Sequence, residues 1–296
     1  MPADGETPGI MSLAESAASA AVGADGCRPS VGRGVRARTA RPAALEPLTR
    51  ELDAWARRGA IATFWWRDDD ASGVRPGLDL LLELRRETDV PLSLAVIPAD
   101  LEEGLAPRLA AEDAIVVVQH GYAHANHARP DEKKAELASG RSHAEVLDEL
   151  IAGGDLLRAA FPKQFAPVLA PPWNRIAAEY VSLLPGIGLT GLTSFGTRSL
   201  ATPAPRLRLC NCHVDIVDWR GNRDFVGWTS AVDQTVAHLA ARREDRVDAG
   251  EATGLLTHHL DHDEGCWDFV RAFLALTRAH PAARWVDVET AMGPGS

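Results

Sequence analysis

Three adjacent carboxylates, Asp68-Asp69-Asp70, close an apolar run that reads IATFWWR. Like charges at that spacing repel, so burying them together is costly unless a cation or a proton compensates. A divalent metal does this, and it leaves a second carboxylate free to act as a base. A solvated turn or a helix N-cap is the plainer reading, since aspartate serves in both. The position directly behind a β-rich run favours chemistry.

His120-Gly121-Tyr122-Ala123-His124 follows a second apolar run, AIVVVQ, and continues to Asn126 and His127. Neutral imidazole is the commonest ligand for zinc and related metals, and two histidines four apart can reach one ion from a helix or tight turn. His124 with His127 is a rival pair, and a surface cluster without function is the plain alternative. A third group, Leu256-Thr257-His258-His259-Leu260-Asp261-His262, offers a histidine able to protonate a leaving amine or alkoxide. The alternative there is a hydrogen-bonded core histidine. Asp215 and Asp218 could orient a histidine or meet substrate hydroxyls, and Trp219 could stack on a sugar-like face. A loop ion pair and a core tryptophan would use the same residues. In Ala170-Pro171-Pro172-Trp173-Asn174-Arg175, two prolines stiffen a turn that aims Trp173 and Arg175.

Each of these groups follows an apolar run, and the runs alternate with helical spacing. Strands are expected at 60–66, 90–97, 114–119, 165–170, 188–193, 207–216, 254–257 and 283–286. Helices are expected at 78–87, around 132–161, at 232–243 and at 267–278. Continuous apolar strands alternating with amphipathic helices imply a parallel sheet covered on its outer face. A (β/α) barrel, complete or deformed, is the favoured closure, with an open doubly wound sheet as the fallback. In a parallel barrel the C-terminal strand ends meet at one rim, so residues distant in sequence converge there. No internal repeat is visible.

The chain has 296 residues, 46% of them apolar and 24% charged, which suits one large domain. A net charge of -10 leaves no basic surface for a phosphate backbone, so nucleic acid is not an expected partner. Cys27, Cys210, Cys212 and Cys266 form no CxxC pair and read as reduced, structural thiols. Residues 1–42 are rich in Ala, Gly, Ser, Pro and Arg, and are expected to be a disordered extension. Residues 43–296 form the folded domain, with order beginning near Ala44. The acidic opening does not resemble a secretion signal, no run is long enough to span a bilayer, and a cytoplasmic location is expected.

Taken in order, the five groups resemble the motifs of the NodB-homology polysaccharide deacetylases, carbohydrate esterases built on a deformed (β/α) barrel. The likeness is to a bacterial branch with an RDDD motif, here Arg67-Asp68-Asp69-Asp70, and it runs from about Ala60 to Val286. It implies that one carboxylate of the triplet is the base and the next a metal ligand; of the two pairings, Asp69 as base and Asp70 as ligand is favoured. His120 and His124 match the paired histidine ligands. Gly121 stands where the family carries a hydroxyl residue, a departure expected to remove one supporting hydrogen bond. The family's motif-three arginine falls near Ala170 and is absent, with Arg67 or Arg175 as its replacement. Asp215, Asp218 and Trp219 match the fourth motif. His258 matches the fifth, with His259 as its rival.

The resemblance further implies one divalent ion, expected to be zinc, held by Asp70, His120 and His124 with a position left for water. Asp69 would accept a proton, and His258 or His259 would protonate the departing amine. The implied reaction removes an acetyl group from an N-acetylated, or less expectedly O-acetylated, carbohydrate-like substrate. A catalytically silent carbohydrate-binding relative is the alternative.

Overall fold

The computed structural model describes residues 42–293. The disordered extension expected over 1–42 lies outside the described residues except for Pro42, as does Cys27.

The central strand β1 (Ala62–Ala71) shows how the sequence builds the barrel. Side chains alternate across a strand. Phe64 and Trp66 therefore join the outer core, while Trp65 joins the inner one. Beside β1 lie β2 (Leu92–Val96), β3 (Ile115–Gln119), β4 (Phe165–Leu169), β5 (Gly191–Leu192) and β6 (Arg208–Leu209). On its other side come β8 (Thr253–Thr257) and then β7 (Val214–Asp215), while β9 (Ala283–Trp285) pairs with the start of β1. All these pairings are parallel, in the order β6-β5-β4-β3-β2-β1-β8-β7.

Helices cover the outside. They are α1 (Glu46–Arg57), α2 (Leu78–Thr88), the short α3 (Leu105–Leu109), α4 (His143–Ala160), the short α5 (Ala178–Val181), α6 (Trp228–Arg243) and α7 (Glu264–Ala279). Leu48, Leu52 and Trp55 recur along α1 at the spacing that lines one helix face, and all three are buried. The inner core is filled mainly by small side chains, Ala95, Val118, Ala166, Val168, Cys210 and Cys212, around the single large Trp65. Val288, Ala291 and Met292 of α8 (Val288–Met292) join it beside Ala252, at the start of β8. This helix stoppers the barrel away from the carboxylates. Among the described residues no helix is long and apolar enough to cross a membrane.

Two expectations are corrected. The single strand expected over 207–216 is two strands, β6 and β7, at opposite ends of the sheet path. The segment remains one continuous stretch, but its halves pair differently. Cys212 exchanges backbone bonds with Ser194 and Gly196, continuing from β5, whereas His213 donates to the Gly254 carbonyl of β8 at 2.8 Å. This partner switch curls the sheet back on itself. Gly254 makes it sterically feasible, because a Cβ there would lie 2.7 Å from the Asn211 carbonyl oxygen and 2.8 Å from the Cys212 Cα. The second correction concerns 132–161, which is helical only from His143. The stretch before it folds back over the His120–His124 loop instead.

Candidate active site

The carboxylate triplet occupies the end of β1, and alternation separates its members. Arg67 and Asp69 share the inward parity of Trp65; Asp68 points outward with Trp66. The register against β2 shifts between Asp68 and Ala71, and Asp70 adopts a left-handed backbone with φ 70°. Aspartate is among the few residues that tolerate this conformation. The irregularity turns Asp70 towards the mouth, so two consecutive carboxylates serve one site.

Asp70 Oδ1 lies 3.1 Å from His120 Nε2 and 3.3 Å from His124 Nε2. The ligand-type atoms of these three residues all fall within 4.8 Å of one another. His120 is buried at the end of β3, and its Nδ1 meets the Ala170 carbonyl oxygen at 2.8 Å. A carbonyl only accepts, so Nδ1 carries the proton and the lone pair of a neutral ring sits on Nε2, facing Asp70. A lone pair aimed at a carboxylate needs a cation between them or a proton on the ring. The N,N,O donor set and the fixed tautomer therefore fit a divalent ion. Where a ring proton rather than a cation bridges the gap, burial opposes charge on Asp70, but hydrogen bonds from His120 and His124 outweigh it and hold the carboxyl well below the ordinary carboxylate range. His127 is exposed and stands outside this group.

Asp69 is almost fully buried beside Arg67, whose Nη2 donates to Oδ2 at 3.0 Å. Arg67 Nε also lies 2.9 Å from Asp69 Oδ1, an ionic contact too bent to count as a hydrogen bond. Nη1 of the same guanidinium donates to Thr193 Oγ1 at 2.9 Å, and Nη2 to Asn174 Oδ1 at 2.5 Å. Burial works against the Arg67 charge, yet Asp69 more than offsets it and raises its pKa. Of the two arginines considered for the missing motif-three residue, Arg67 is the one at Asp69. Arg175 donates instead to the Lys134 carbonyl at 2.8 Å.

Alternation also sorts the two histidines after β8. His258 has the inward parity of Leu256, and its Nε2 lies 3.9 Å from Asp69 Oδ2. Its Nδ1 is buried and has no hydrogen-bond partner. His259 turns the other way and pairs with outward Asp68, Nδ1 to Oδ1 at 2.5 Å. Asp68 Oδ2 accepts from Thr257 Oγ1 at 2.6 Å and from the His259 amide at 3.1 Å. Burial opposes both charges of this pair, but their attraction outweighs it, lowering the pKa of Asp68 and raising that of His259. The pair ties the end of β1 to the end of β8, behind the mouth.

Aromatic groups flank the mouth. The Trp173 ring packs on His124 with centroids 4.3 Å apart, and Trp173 and Asn174 both take left-handed backbones. Trp219 stands edge-on to His258 at 4.6 Å and donates from Nε1 to Asp215 Oδ2 at 2.8 Å. Asp215 thus reaches His258 through Trp219. Burial pushes the Asp215 carboxyl up, and His258 only partly counters it. Asp218 serves its own turn, its Oδ1 accepting from the Arg220 and Gly221 amides at 3.2 and 3.1 Å.

Three contributors escaped the sequence reading. Thr193 and Asn174 hold Arg67; Thr193 ends the expected strand 188–193 and Asn174 lies in the turn after 165–170, where the rim rule could have given them a role. Glu136 had no such signal. Its buried carboxylate accepts from the Tyr122 amide at 3.0 Å and the Ala123 amide at 2.7 Å. The expectation that Gly121 costs the loop a supporting bond is thereby corrected, since two bonds to Glu136 serve it.

A second histidine group lies elsewhere in the barrel: His213, His238 and Glu251, with ligand-type atoms also within 4.8 Å. Its protons are arranged the other way. The Gly254 amide donates to His213 Nδ1 at 3.0 Å, so the Nε2 of a neutral ring bears the hydrogen and offers no lone pair. Both oxygens of Glu251 already accept backbone amides, from Asn211 and from Arg198, each at 3.0 Å. The Arg242 guanidinium donates to Thr253 Oγ1, the partner of His238. Adjacent positive charge disfavours a second cation.

Cys210, Cys212 and Cys266 are buried and unpaired, and burial pushes the thiols of Cys212 and Cys266 up to about 12.

No family model and no curated protein matches this sequence. Solved structures do match in fold. A protein described as a polysaccharide deacetylase of Mycobacterium smegmatis superposes with a TM-score of 0.59 at 16% identity, over 79% of this chain and 90% of the other. A peptidoglycan N-acetylglucosamine deacetylase, solved in complex with an N-oxidanyl-benzamide, gives 0.50 at 15% identity over 80% and 95%. The chain therefore has the NodB-homology deacetylase-like fold, a parallel sheet curled into a deformed (β/α) barrel.

Proposed function

We propose that this protein is a metal-dependent hydrolase that removes the acetyl group from an N-acetylated carbohydrate-like substrate. The observation that carries the reading is the ordered contact of Asp70 with two imidazoles, one locked by Ala170 into the metal-binding tautomer, beside an arginine-held Asp69. Asp70, His120 and His124 would hold one divalent ion, and zinc suits two imidazoles and a carboxylate. Bound there, such an ion supplies Lewis acidity for an acetyl carbonyl and acidifies water.

The remaining steps belong to the chain's own side chains. Asp69 takes the proton of the attacking water. Arg67 holds that carboxylate in place, the work of the absent motif-three arginine. His258, 3.9 Å from Asp69, gives a proton to the departing amine, and Trp219 packs its ring in place. His259, committed to Asp68, holds the scaffold. Trp173 and Trp219 give the mouth two flat apolar faces suited to a pyranose ring.

The test is metal analysis of purified protein followed by acetate-release assays on N- and O-acetylated sugars. Stoichiometric metal with acetate release from the amide supports the reading. Sugar binding with metal but no release from either substrate would make the chain a silent carbohydrate-binding relative. A protein that takes up no divalent metal would end the proposal.

A further inference from the structure

We infer that Glu136 is a positioning residue for the metal ligands, taking over the role of the hydroxyl side chain that Gly121 lacks; this rests on the metal-dependent reading above. The His120–His124 loop needs outside support, because it bends through left-handed backbone twice, with φ 59° at Gly121 and 53° at His124. A non-glycine residue there is strained and persists only where its surroundings impose it. Two amides between those bends, Tyr122 and Ala123, point at one carboxylate.

Glu136 and a side chain at position 121 exclude each other. A Cβ on Gly121 would stand 1.8 Å from Glu136 Oε2 and 2.6 Å from Pro172 Cδ. The carboxylate and Pro172 together fill the volume a serine or threonine would need, and glycine suits the left-handed backbone there. Glu136 is held in turn from its own side. Asn126 Oδ1 accepts the Ala135 amide at 3.0 Å, the Ala177 amide donates to the Leu137 carbonyl at 2.9 Å, and Arg141 Nη1 donates to the Glu136 carbonyl at 3.3 Å. On the far side of the loop, the Ala99 amide donates to the Tyr122 carbonyl at 2.9 Å. His124 is thus aimed at Asp70 from a frame whose central support is Glu136. Glutamine could not replace it fully, since its amide nitrogen would face one of the two N–H groups.

The test measures cobalt(II) affinity by chelator competition, and the visible spectrum of the cobalt protein, in wild type, Glu136→Gln, Glu136→Ala and the double variant Glu136→Ala/Gly121→Ser. Removing the support of a ligand typically costs about 10–100-fold in metal affinity. That loss is expected for Glu136→Ala, with a shifted cobalt spectrum, in a metal-free protein that stays folded although its melting point falls as two amides lose their acceptor. A smaller loss is expected for Glu136→Gln, and no recovery in the double variant, because Pro172 still crowds position 121. Wild-type affinity and spectrum in Glu136→Ala would overturn the inference while leaving the metal site standing. So would an unfolded metal-free protein for both single variants, which would make Glu136 a general fold residue. No cobalt uptake by wild type would instead overturn the functional reading on which the inference rests.

Discussion

Two groups in this barrel, one at the mouth and one fully buried, hold the same residue types, a pair of histidines and a carboxylate, within the same 4.8 Å. They differ in where the protons sit. At the mouth a carbonyl takes the proton of His120 Nδ1 and frees Nε2, whereas around His213 an amide donates to Nδ1 and leaves the proton on Nε2. The carboxylates differ as well. Asp70 is met only by the imidazoles, while Glu251 already serves two backbone amides. The group at the mouth offers lone pairs to a common point, whereas in the other His213 and Glu251 spend theirs on backbone amides. Donor geometry around a histidine, rather than the histidine itself, separates a metal site from a structural cluster.

The largest effect expected from this contrast is at a ligand. His124→Ala should weaken metal binding by more than the roughly 10–100-fold typical of losing a ligand's support, as read by metal content after dialysis, with the fold intact by circular dichroism. Stoichiometric metal in that variant would shift the ligand set towards His127. Next comes Asp69→Asn, for which metal should stay while turnover falls about 10²–10⁴-fold. Metal lost together with activity would exchange the roles of Asp69 and Asp70.

At the structural cluster the expected readout is stability. Glu251→Ala should leave metal content unchanged and destabilise the protein, because two buried amides lose their acceptor at about 1–3 kcal/mol each. Denaturant titration measures this, and a fall in bound metal with no loss of stability would contradict the contrast drawn above.

The smallest expected effect is a pH slope. Burial, then His213 and Arg242, push the His238 pKa down to about 2. An unfolded histidine titrates near about 6.5, so between these values the unfolded chain binds the extra proton. The His238 contribution to stability is therefore complete above about pH 6.5 and is lost progressively as pH falls towards 2. Melting points of wild type and His238→Asn should converge as the solution is acidified from neutrality. Parallel curves would show that His238 is not held neutral by the fold.

Much of this was legible in the chain. The apolar runs marked most strands to within a few residues, and carboxylates and histidines behind them marked the rim. The choice between His258 and His259 is left open by the sequence and follows from counting only once the structure shows that Leu256, not Leu255, faces inward. Other features were not legible. The run 207–216 looks like one strand because its residues are uniformly strand-like, but which neighbour each half joins depends on how far the sheet has curled. The segment before His143 has helical composition, yet its place is dictated by the loop it covers.

By itself the sequence determined the periodicity of the strands, the inventory of acids, bases and imidazoles, and their clustering at strand ends. These are local properties, set by residue type and by the fixed geometry of the backbone. Only the tertiary structure decided which nitrogen of each histidine is free, that Arg67 meets Asp69, and that Glu136 fills the space Gly121 leaves empty. Hydrogen-bond partners and excluded volume arise between segments far apart in the chain, and no single segment specifies them.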